Sequence, residues 1–181
     1  MTEYKLKDGK TLRVIQDNTP ENPRRWDNLG TMICFHRKYS LGDKHDYNHS
    51  NYGNWQEMKN DIIKSEDACV ILPLYLYDHG GITMNTTGFS CPWDSGQVGW
   101  LFISKAKVRK EYNVKRINKK LIELVTSNLK GEVETYDQYL TGDVYGFKVI
   151  NEEGNEEDSC WGFFGSDVTT NGMLEHVGEL A

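Results

Sequence analysis

Ala68-Cys69-Val70-Ile71-Leu72-Pro73-Leu74-Tyr75-Leu76 and Val98-Gly99-Trp100-Leu101-Phe102-Ile103 are short apolar runs rich in branched and aromatic residues. Runs of this length and composition read as buried strands. Between them lie Tyr77-Asp78-His79-Gly80-Gly81 and Cys91-Pro92-Trp93-Asp94-Ser95-Gly96-Gln97. Two rigid strands thus frame polar, glycine-rich segments, an arrangement by which folds hold reactive groups. If the strands pair as a hairpin, His79 and the Cys91–Asp94 segment fall at the same end of the sheet.

Outward from this centre the pattern alternates. Tyr4–Leu6 and Thr11–Ile15 flank Lys7-Asp8-Gly9-Lys10, whose Asp-Gly centre predicts a hairpin. Thr31–His36 reads as a strand, and Leu41–Asn54 as a long polar loop. Trp55–Lys64 spaces Trp55, Met58, Ile62 and Ile63 as a helix does. Ser104 caps a predicted helix over Lys105–Tyr112. Val114–Leu140 places Ile117, Leu121, Leu124, Val125, Leu129, Val133, Tyr136 and Leu140 on one face, with Gly142 as its stop. Val144–Ile150 and Ser159–Phe164 predict a terminal hairpin whose turn carries the acidic run Glu152–Asp158. The predicted class is α+β: a mostly antiparallel sheet with a long amphipathic helix and shorter helices packed on one face. Residues 1–165 are expected to form one domain, with 166–181 a weakly packed tail. Phosphate-binding glycine motifs are absent.

With 181 residues the chain can bury a core without staples. No apolar run approaches the roughly 20 residues of a membrane helix. Met1-Thr2-Glu3-Tyr4-Lys5 lacks a signal-peptide core, so a cytoplasmic protein is expected. Cys34, Cys69, Cys91 and Cys160 form no CxxC pair, which removes zinc-knuckle and thioredoxin readings. The net charge of −6 is uneven. Residues 104–120 hold eight bases and one acid, so this stretch carries +7 and the remainder −13. Lys105, Lys107, Arg109, Lys110, Lys115, Arg116, Lys119 and Lys120 are therefore candidate nucleic-acid contacts, against the plainer reading of a solvated helix face.

His36, His79, Cys91 and Asp94 are the candidate catalytic residues. Imidazole titrates near neutrality, a carboxylate can orient it, and a thiol near histidine is a nucleophile. Asp78-His79-Gly80-Gly81 reads equally as a β-turn, with Asp capping it and glycine supplying positive φ. His45 and His49 have a metal-ligand spacing, but their neighbours favour a solvated loop. Glu132, Glu134, Asp137 and Asp143 could serve a metal only by converging. A divalent metal is the one cofactor left open.

Trp26-Asp27-Asn28-Leu29-Gly30-Thr31-Met32, Cys91-Pro92-Trp93-Asp94-Ser95-Gly96-Gln97-Val98-Gly99 and Tyr136-Asp137-Gln138-Tyr139-Leu140-Thr141-Gly142 resemble strings of a family of small proteins from phages, plasmids and other mobile elements. The likeness spans residues 1 to about 165. It implies a counter-defence role similar to that of anti-CRISPR inhibitors of type II systems, some of which act on the guide RNA, with the effector nuclease or its guide RNA as partner; this role merges with a hydrolase reading if the protein cleaves RNA. No catalytic motif comes with the resemblance, so no residue role is carried over. The competing expectation is a small metal- or thiol-dependent hydrolase.

Overall fold

A computed structural model describes residues 1–181. The chain divides into two compact units, Met1–Pro23 with Gln138–Ala181, and Arg24–Asp137. Each has a four-stranded antiparallel sheet, and the class is α+β.

In the first unit β1 (Thr2–Lys5), β2 (Thr11–Gln16), β7 (Val144–Ile150) and β8 (Glu156–Phe164) lie in that order. Leu12 and Val14 alternate inward on β2, and join Phe147, Val149 and Phe163 in the core. Residues 166–181, expected to be weakly packed, contribute two side chains to this core. Val168 and Met173 are buried in it, and Met173 opens the short helix α4 (Met173–Val177). Leu180 bridges to Leu6, and the Ala181 N–H donates to the Lys5 carbonyl at 2.8 Å. The sparse apolar residues of this tail have no period, so only the tertiary contacts give it structure.

The second unit orders its strands β3 (Thr31–Cys34), β6 (Ser95–Ser104), β4 (Ala68–Asp78) and β5 (Ile82–Asn85). The two opening runs do pair antiparallel, Tyr77 opposite Ser95 and Ile71 opposite Phe102. Ile82–Asn85, too short for its pattern to show, adds the edge strand. Helix α1 (Trp55–Ser65) is capped by Asn54, whose side chain accepts from the Glu57 N–H. Its Met58 and Ile62 pack on Ile33, Trp100 and Phe102. Leu101 points to the opposite face, since neighbours on a strand alternate. Leu101 and Leu129 both crowd the place where a Cβ on Gly30 would sit, 2.6 Å away. Helices thus cover both faces of this sheet rather than one, which is why Val98–Ile103 is continuously apolar. Gly99 is required: a Cβ there would lie 1.9 Å from the Ile33 carbonyl oxygen.

Helix α2 (Lys105–Glu111) is capped by Ser104 as expected. Helix α3 (Lys119–Thr141) starts later than its pattern predicts, at the Asn118 cap, and runs unbroken through Gly131 to Gly142 at φ +74°. Its buried stripe is Val125, Leu129, Val133 and Tyr136. Leu124, expected in that stripe, is 48% exposed. No helix is long and apolar enough to cross a membrane.

Candidate functional site

The pairing of β4 with β6 brings the central polar segments together. Beyond Tyr77 opposite Ser95, the Asp78 N–H donates to the Asp94 carbonyl at 2.8 Å. Asp78-His79-Gly80-Gly81 is the turn of the β4–β5 hairpin, with Gly80 at φ +71°. The turn reading therefore holds, and the turn lies beside Asp94. His79 Nδ1 lies 3.1 Å from Asp94 Oδ2, with the His79 side chain 70% exposed. The Cys91 thiol also faces Asp94 Oδ2, at 3.9 Å. That contact gives Cys91 a carboxylate neighbour where a thiol mechanism needs an imidazole.

His36, just past β3, faces the same place from another segment. Its Nδ1 accepts the Lys38 and Tyr39 backbone N–H groups, each at 3.3 Å, and its ring stacks on Tyr39. Lys38 Nζ lies 3.4 Å from Asp78 Oδ2. His36, Arg37, Lys38, Asp78, Trp93 and Asp94 line a cleft of about 400 Å³. Of the four candidate residues, His36 and Asp94 line the cleft, while His79 and Cys91 do not line it and each contacts Asp94 at its edge. Arg37, Lys38 and Trp93 were not singled out in the sequence. Their available signal was position, directly after a candidate histidine or before a candidate aspartate.

The other histidines have packing roles. His45 Nε2 donates to the Cys34 carbonyl at 3.1 Å, while His49 meets Trp55 edge-on at 4.7 Å between ring centroids. No three His, Cys, Asp or Glu side chains are grouped to hold a metal ion. The helix carboxylates diverge: Asp137 accepts from the Thr83 hydroxyl and the Met84 N–H, both at 2.7 Å, whereas Glu132 accepts from Arg24 at 3.0 Å.

Arg24 is the centre of a partly buried network that sequence spacing did not reveal. It forks onto Asp43 at 2.9 and 2.7 Å and donates to the Gly30 carbonyl at 2.8 Å. Asp43 accepts from Met32 N–H, and Glu132 from Leu29 N–H. Burial opposes the guanidinium charge, but the Asp43 and Glu132 carboxylates more than offset it, leaving its pKa above the ordinary value. Such a satisfied bidentate cluster fixes the loop before β3.

The cationic segment lies at the other end of β6. The cleft adjoins Ser95, and α2 follows Ser104, so at about 3.3 Å per residue the two are roughly 30 Å apart. Three of the eight bases have partners within the fold: Lys105 with Asp67 and Lys107 with the Asn28 carbonyl, each at 2.6 Å, and Lys119 with Glu123 one helical turn on, at 3.9 Å. Arg109, Lys110, Lys115, Arg116, Lys119 and Lys120 are exposed. Charge also separates by unit. The first has 5 Lys and Arg against 13 Asp and Glu, net −8; the second has 16 against 14, net +2. No family model, curated protein or solved structure matches the chain.

Proposed function

We propose that this chain is a mobile-element counter-defence protein that engages the guide RNA of a type II CRISPR effector in the host cytoplasm. The observation that carries the RNA part is the set of six exposed bases between Arg109 and Lys120 on a chain of net charge −6. Clustered Lys and Arg against an acidic background form an electrostatic footprint for a phosphate backbone. The counter-defence setting rests on the three resembling strings.

The test is gel-shift binding of guide RNA, alone and loaded in the effector, followed by an assay of target-DNA cleavage. Binding of free guide RNA in the micromolar range or tighter, with loss of effector cleavage, is expected. Binding to apo-effector but not to RNA would overturn the RNA reading. It would favour a second one, in which the −8 unit occupies a basic channel of the effector. Retention of full effector activity would overturn both.

A further inference from the structure

We propose that the cleft at the β4–β6 end is a metal-independent RNA-cleaving centre acting at an unpaired nucleotide. This rests on the RNA-binding reading and specifies its chemistry. A carboxylate only accepts, so the 3.1 Å contact with Asp94 puts the proton of neutral His79 on Nδ1. That leaves the lone pair on Nε2 of a 70% exposed ring oriented by Asp94, the arrangement of a general base. His36 is the complement. Its Nδ1 accepts two backbone N–H groups, so its proton sits on Nε2 and can be donated as a hydrogen bond. Arg37 is exposed and has no side-chain partner, and Lys38 is held only by the 3.4 Å contact with Asp78. Trp93, 91% exposed beside Asp94, offers a bare ring on which a splayed base can stack.

These groups suit phosphodiester cleavage that uses the RNA's own 2′-hydroxyl. His79 Nε2 takes the 2′-hydroxyl proton as O2′ attacks the adjacent phosphorus. The P–O2′ bond forms and the P–O5′ bond breaks. The Lys38 ammonium gives a proton to the departing O5′. Arg37 and His36 Nε2–H hydrogen-bond the non-bridging oxygens. The products are a 2′,3′-cyclic phosphate and a 5′-hydroxyl. Solvent then returns the Lys38 proton and removes the one on His79. Stacking on Trp93 needs an unstacked base, so paired RNA is a poor substrate, and DNA lacks the nucleophile.

The test uses the full chain, a labelled unpaired RNA oligonucleotide and excess EDTA, with product ends read by mass spectrometry and binding read separately by anisotropy. Cyclic-phosphate ends are expected from RNA and none from the matching DNA or 2′-O-methyl strand. His79→Ala should slow cleavage by about 100-fold or more at unchanged binding, since general-base groups typically contribute that much. Lys115→Glu with Arg116→Glu should weaken binding yet cleave at saturating protein. RNA bound but left intact overturns the cleavage proposal alone; RNA not bound overturns the RNA reading as well. Cleavage undiminished in His79→Ala, or equal on DNA, also overturns the proposal.

Discussion

Arg24→Ala should be among the most destabilising surface-distant changes in the second unit. The Arg24 side chain is 3% exposed, against 23% for Asp43 and 15% for Glu132. Removing it leaves two partly shielded carboxylates without their cation. Breaking a buried ion pair this way typically costs about 3–5 kcal/mol. Both carboxylates keep backbone donors, Met32 N–H for Asp43 and Leu29 N–H for Glu132, which places the loss near the lower end, about 3 kcal/mol. At about 2–4 °C per kcal/mol for a chain of this size, the midpoint should fall by about 6–12 °C. Arg24→Lys keeps the charge but loses the fork, so it should fall between wild type and Arg24→Ala. Thermal melts followed by circular dichroism measure this, and hydrogen exchange should show the loop before β3 opening first. A midpoint for Arg24→Ala within a degree of wild type would refute the assignment of the network as structural.

The stripe on α3 makes a paired prediction. Leu129→Ala should cost about 2–5 kcal/mol, and Leu124→Ala under about 0.5 kcal/mol, in urea titrations. The β7–β8 turn should loosen in acid. A hydrogen bond from Lys10 lowers the Glu157 pKa, and one from Lys148 lowers that of Glu156, from the ordinary 4.5. A depressed carboxylate stabilises above its unfolded pKa and loses that contribution as pH falls through the folded one. Amide exchange of residues 151–157 should therefore rise only below about pH 4.5, and acid-independent protection there would contradict the pairing. Burial, aided by Asp43, pushes the Cys34 thiol up to about 12. Cys34 should thus be the last cysteine alkylated by iodoacetamide at pH 8, as read by peptide mass mapping.

The elements with dense local signals were legible in the sequence. The two central runs, helix α1, the Ser-capped helix α2 and the terminal hairpin announce themselves through apolar composition, period and cap residue. What was hidden depends on distant partners. The Arg24–Asp43–Glu132 cluster joins three segments far apart in the chain, and no spacing rule links them. Leu124 obeys the helical period but faces solvent, because the register of α3 against the sheet decides which residues of an apolar stripe are covered. The tail around Val168 and Met173 lacks periodicity and is ordered only by the core it completes. At the cleft, the strands foretold that His79 and Asp94 meet at one sheet end. The convergence of His36, Arg37 and Lys38 on the same place required the fold, since they follow a different strand.

The salt dependence of guide-RNA affinity tests the central claim most directly. If the six exposed bases from Arg109 to Lys120 contact phosphates, log K should fall with log salt with a slope of about −4, at ~0.7 per contact on single strands. Lys115→Glu with Arg116→Glu should flatten that slope toward about −3 and weaken binding, with the melting midpoint unchanged. A slope near zero, or wild-type affinity and slope in the double variant, would contradict the account.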